Sequence, residues 1–327
     1  MTHAEHGARA GRGGRGRRRR GEQAMVPEAR FTSYYGLPVL NPPVWKPLDI
    51  AGYLFLGGLA GGSSLLAAGA HATGRRELAR TAKVGALGAI SLSLAALVHD
   101  LGRPARFLNM LRVAKPTSPM SMGSWLLFGY GPLAGAAAVT EMTGRFRRLG
   151  ALATAGAAVL GPAVATYTAV LVCDTAVPSW HEGYRQMPFL FAGSGAAAAA
   201  GLGLVFAPAE PARRAAVLGA AAELGMTRLM KRRMGLAAEP LEQGKAGRLM
   251  RVCEALTAAG AGLAALPGTV RSRVLSAAAG AALIAGSAAL RFGVFHAGVA
   301  SAQNPEYTVV PQRQRLNDRE FPAARHG

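Results

Sequence analysis

Stretches of about 20 residues that carry almost no charge recur along this 327-residue chain, and no other feature restricts its fold so strongly. Coiled as an α-helix, such a stretch spans the ~30 Å hydrocarbon core of a bilayer and bonds its own backbone groups internally. A soluble chain of the same length would instead spread its apolar residues at the period of an amphipathic helix or strand. Here half of the residues are hydrophobic and only 17% are charged, and the apolar ones are gathered into blocks rich in Ala, Gly and Leu. The fold class expected is all-α: a polytopic membrane protein with about eight transmembrane helices. The spans fall at roughly 48–70, 82–101, 122–141, 149–172, 188–207, 212–229, 247–266 and 271–297. The sixth is the weakest, being short and carrying Glu223; were it not to cross, every later orientation would invert. Small residues, as in GGLAGGSS of the first span and AAAGAALIAGSAA of the eighth, allow helices to approach closely in lipid.

This patterning divides the chain into a basic, Pro-rich lead-in over 1–47, a transmembrane domain over 48–300 and a tail over 301–327. The net charge is +20, and seven arginines crowd into the first twenty residues. No aromatic residues are interleaved there for base stacking, which argues against a nucleic-acid arm and for a disordered tail that helps set topology. No apolar core or small-residue cleavage site follows directly, so the segment does not read as a signal peptide. Most of the 37 Lys and Arg residues fall on the face that carries the N-terminus, even with the arginines of the first twenty residues set aside. Both termini are therefore expected in the cytoplasm, with the protein in the cell membrane.

Cys173 and Cys253 are the only cysteines, too few for an iron–sulfur cluster, so a redox metal would have to sit in another subunit. With the topology above, ionisable residues concentrate toward the cytoplasmic half. Asp49 opens the first span, with Tyr53 one turn further in on the same helix face. His99, Asp100 and Arg103 end the second, Asp174 closes the fourth, and Glu223, Glu254 and Arg291 lie within the sixth, seventh and eighth. The outer half has chiefly His71 and Glu141. Ionisable groups at membrane depth cost several kcal/mol unless paired or wetted, so each is a candidate for function. Together they describe a polar pocket open to one face. Glu223, Glu254 and Arg291 are also the residues a proton channel or transporter would use, and Glu223 with Arg291 would alternatively form a buried pair. A haem b anchor needs paired histidines at one depth, and only His99 and His296 share a face. After His99, Gly102 and Pro104 break the helix, and an amphipathic stretch through Arg112 leads by KPTSPMSMGSW into the third span, where it could cover a pocket mouth or dock a partner.

The run HDLGRPARFLNMLRVAKPTSPMSMGSW, residues 99–125, resembles the signature of the NrfD/polysulfide reductase membrane-subunit family. YLFLGGLAGGSSLLAA from Tyr53 is similar to that family's first span, and LRFGVFHAGVASAQNPEYTV, residues 290–309, to its closing segment. The resemblance implies two four-helix bundles without haem or iron–sulfur cluster, binding a quinone near one face. It also implies an iron–sulfur subunit as electron partner, itself serving a molybdopterin-type catalytic subunit, in a complex of reductase or formate dehydrogenase type that uses menaquinone. Asp49, Tyr53, His99, Asp100 and Arg103 then fall at the family's headgroup pocket. Tyr53 and His99 would meet the quinone oxygens, Asp49 or Asp100 would accept protons, and Trp125 would wall the ring. The family often has an amide or histidine where this chain has Asp49. Glu223, Glu254 and Arg291 are left as candidates for a proton path. No nucleic acid is expected as partner.

Overall fold

The computed structural model describes residues 39–41, 43–101 and 109–320. The arginine-rich N-terminal segment, Arg103 and the start of the amphipathic stretch before Arg112 lie outside the described residues. Eight long helices are present among those described: α1 (Pro47–Ala72), α2 (Arg76–Asp100), α3 (Pro119–Thr143), α4 (Arg147–Cys173), α5 (Met187–Phe206), α6 (Glu210–Arg233), α7 (Gly244–Ala265) and α8 (Arg273–Gln303). A further helix, α9 (Glu306–Glu320), follows the last of them. Each of the eight expected spans has its helix. By length and composition α1, α2, α4, α5 and α8 are apolar enough to cross a membrane. α3, α6 and α7 complete the two bundles around them.

The helices pair as two four-helix bundles. In the first, α1 packs on α2 and α4 while α3 packs on α2 and α4; in the second, α5 packs on α6 and α8 while α7 packs on α6 and α8. The bundles join where α1 meets α5 and α8, and where α4 meets α5. With no hydrophobic driving force between helices in lipid, close backbone approach has to supply the association. Glycine makes that approach possible at Gly61 of α1, where a Cβ would lie 2.2 Å from the carbonyl oxygen of Gly161 in α4. The neighbouring Gly62 meets Gly195 of α5 in the same way, so one turn of α1 anchors both bundles.

The second helix begins at Arg76, about two turns before the expected start at 82. Arg75, Arg76 and Arg80 are exposed there, so their charges reach water at the membrane border and do not oppose the helix. Lys83 is buried, and its Nζ lies 2.7 Å from Glu141 Oε2 on α3. Pro132 and Pro162 sit inside α3 and α4, a placement that neighbouring helices tolerate in membrane bundles.

Candidate functional site

Because α1 and α2 are joined by a short turn at Thr73–Arg75, they run antiparallel and bring the start of one beside the end of the other. Asp49 lies in the first turn of α1 behind Pro47, where the helix dipole favours an acid; His99 lies in the last turn of α2, where it favours a cation. Asp49 Oδ2 and His99 Nδ1 are 2.9 Å apart. The carboxylate is buried while the imidazole stays exposed, so the pair has one member on each side of the protein surface. Asp100 is half-buried and makes no ion pair among the described residues.

One turn along α1, Tyr53 is buried, and its phenol meets the phenol of Tyr167 from α4. Ser93 of α2 donates to the Tyr53 carbonyl at 3.1 Å and ties the two helices at this level. Tyr167 lies flat against α3 because residue 123 is glycine: a Cβ there would be 2.0 Å from the tyrosine ring. The other side of Tyr167 lines a cleft of about 670 Å³ between α3, α4 and the loop that follows α4. Pro119, Met122, Leu126 and Val170 give that cleft apolar walls, and Thr117, Asp174, His181 and Tyr184 stand with Tyr167 among its polar groups. His181 Nδ1 donates to the Cys173 carbonyl, 3.2 Å away.

An apolar slot of this size, with a few convergent hydrogen-bonding groups, has the character of a small-molecule site. Tyr167 joins that slot to Tyr53; Asp49, Tyr53, His99 and Asp100 are not themselves among the residues that line it. Sequence reasoning passed over Tyr167 and His181. The available signal was that Tyr167 is the lone tyrosine in its span, and a phenol at that depth has to find a partner. Trp125 stands apart from the cleft lining: its indole N–H donates to the Val113 carbonyl at 3.4 Å and its ring meets Phe128 edge-on.

The second bundle holds the deeper charges. Glu223 is fully buried; Oε1 accepts from Thr257 Oγ1 at 2.6 Å and from Cys253 Sγ at 3.3 Å. Arg291 is fully buried too, donating from Nη2 to the Phe191 carbonyl at 3.0 Å and from Nε to the Leu54 carbonyl at 3.5 Å. Its guanidinium lies 3.7 Å over the Phe191 ring. The two residues form no direct ion pair among the described residues, and Glu223 Oε2 and Arg291 Nη1 are each without a hydrogen-bond partner. Glu254 lies nearer the surface and pairs with Lys231 at 2.8 Å. Among the described residues no group of three or more His, Cys, Asp and Glu side chains could hold a metal ion.

The family model described as polysulphide reductase, NrfD, matches residues 37–300, which takes in seven of the eight long helices whole and all but the last three residues of α8. No curated protein matches the chain.

Proposed function

The chain belongs to the polysulphide reductase NrfD family, whose members are membrane subunits of quinone-interacting oxidoreductase complexes, and from that premise we propose where this one binds its quinone and what it serves. The headgroup enters the cleft between α3 and α4 and meets the Tyr167 hydroxyl, with Tyr53 behind it. The observation that carries this reading is the Tyr53–Tyr167 contact: Tyr167 lines the apolar slot, and Tyr53 is one helical turn along α1 from Asp49, the partner of His99.

The chemistry requires such an arrangement. A quinol that gives up two electrons also releases two protons, and each needs an acceptor within hydrogen-bond reach and a way to water. Tyr167 donates to, or accepts from, the first oxygen according to the redox state of the ring. Tyr53 stabilises either state by reversing the phenol–phenol bond. Asp49 takes the proton onward, and His99, exposed beside it, hands it to solvent. His181 and Asp174, which line the cleft from the loop side, serve the second oxygen. Asp100 is a further acceptor at this end, and Arg103 belongs to the same segment of the chain. Electrons leave to a separately encoded iron–sulfur subunit docked on this face, which connects to a molybdopterin-type catalytic subunit. Menaquinone is the carrier proposed, and the Lys and Arg distribution supports a cytoplasmic position for both termini and for this site. Glu223 and Arg291 are proposed as a buried charged pair bridged by water, beside the site at the level of Leu54.

The test is purification of the complex from membranes in mild detergent. The reading predicts that an iron–sulfur protein and menaquinone co-purify with the chain, and that a headgroup photoprobe labels Tyr167 or its neighbours in the cleft. Labelling confined to the second bundle would overturn it.

A further inference from the structure

At the end of the first bundle far from Asp49 lies a second cleft, of about 500 Å³, that the quinone reading does not use. His71, in the last turn of α1, is 22 residues beyond Asp49, or about 33 Å along the helix, so this cleft sits at the opposite membrane border. Its lining is basic: His71, Arg75, Arg76, Lys83 and Arg147 against the single acid Glu141. Lys83 and Glu141 neutralise each other at 2.7 Å, with His71 Nδ1 3.3 Å from the lysine. That leaves Arg75, Arg76 and Arg147 as exposed cations around a polar cavity, with no acid among its lining residues to answer them. α4, whose first residue is Arg147, has neither a side-chain cap nor an acid in its first turn, so its positive end adds to the same potential; α2 is uncapped too, but Glu77 in its first turn offsets part of its dipole.

Beside this cleft, on the outer side of α2, Arg80 heads an apolar groove of about 410 Å³ formed by Val84, Gly85, Met142, Leu202 and Phe206. Val84, Met142 and Phe206 are exposed, as side chains that face hydrocarbon should be. We propose that this end of the molecule is a binding site for an anionic phospholipid: the phosphate lies in the arginine-lined cleft and an acyl chain follows the neighbouring groove. The depth decides between a lipid and other anions. A cluster of cations at a span border lies at the depth of the headgroup phosphates. A soluble anion would find the cations but would leave the groove uncovered.

Native mass spectrometry of the full chain in neutral detergent tests the site, with phosphatidylglycerol, phosphatidylcholine and inorganic phosphate as the three probes. Phosphatidylglycerol is expected to be retained at least tenfold more strongly than phosphatidylcholine, and to raise the thermal midpoint where inorganic phosphate does not. The double variant Arg75→Gln/Arg147→Gln should lose that preference, Arg75→Lys/Arg147→Lys should keep most of it, and Arg232→Gln/Arg233→Gln at the other end of the molecule should leave it unchanged. Equal retention of both lipids by the unmodified chain, or a preference that survives in the double glutamine variant, would overturn the proposal. So would an equal rise in midpoint with phosphate alone, or an acidic protein held by these arginines in place of lipid.

Discussion

The carboxylate of Asp49 and the imidazole of His99, fifty residues apart in the chain, lie 2.9 Å from each other where α1 begins and α2 ends. One is buried and the other exposed, so the pair spans the boundary between the protein interior and water. Removing either half should interrupt proton release. Asp49→Asn and His99→Ala are each expected to lower quinol-linked turnover at least about tenfold, within the range that a positioned acid or base contributes. Complex assembly, followed by co-purification of the partner subunits, should be unchanged. Because the two act in series, the double variant should be little worse than the poorer single one. Wild-type turnover in both singles would remove the pair from the reaction.

The two tyrosines are not equivalent. Tyr167 lines the cleft while Tyr53 is behind it, so Tyr167→Phe should raise KM and lower kcat, and Tyr53→Phe should act mainly on kcat. Gly123→Ala offers an independent check, since its methyl would have to displace the Tyr167 ring. The expected outcome is a several-fold rise in KM with the helical content, measured by circular dichroism, retained.

Much of this arrangement was legible in the sequence, for identifiable reasons. Lipid obliges each apolar block to be a helix, so the eight spans could be placed from composition, and a polar residue inside such a block is conspicuous. Asp49, Tyr53 and His99 stood out for that reason. What could not be read was rotation about each helix axis. The spans are apolar on every side, so nothing in the order of residues indicates that Tyr167 faces inward or that Trp125 turns to the Val113 carbonyl. The early start of α2 was hidden because Arg76 and Arg80 look like loop residues, although at a membrane border they reach water from within a helix.

Tyr307 in α9 gives a pH-dependent signal outside the membrane. Its hydroxyl donates to Glu239 Oε2 at 3.2 Å, and burial, followed by the charge and hydrogen bond of Glu239, pushes its pKa from 10 up to about 12. The folded form therefore holds the proton more tightly than the unfolded one. Its contribution to stability is complete below pH 10 and is lost as the pH rises through about 12. Tyrosinate absorbance should include a late-titrating phenol in this range. Glu239→Gln should bring it earlier, and Tyr307→Phe should abolish it.

Gly61 and Gly161 bring α1 and α4 to backbone contact, and a methyl on either would meet a carbonyl oxygen. Gly61→Ala is expected to cost about 1–3 kcal/mol, the usual range for overpacking a tight core. Thermal unfolding in detergent would show it as a lowered midpoint. Gly69→Ala is the matched control, because a Cβ at that position on the same helix meets nothing within 4 Å.

Arg291 and Glu223 supply the last prediction. Both are fully buried, and their unpartnered atoms, Nη1 and Oε2, remain after every bond to Leu54, Phe191, Thr257 and Cys253 is counted. A buried charge that loses its compensating partner costs about 3–5 kcal/mol, whereas removing both together is often neutral. If water bridges the two, Arg291→Met and Glu223→Gln should each lower the thermal midpoint, and the double variant should recover most of the loss. Additive losses in the double variant would mean that the two charges are balanced separately. The activity of the double variant then tells the remaining roles apart: turnover close to wild type assigns the pair to structure, while a stable but slow protein assigns it to the movement of protons beside Tyr53.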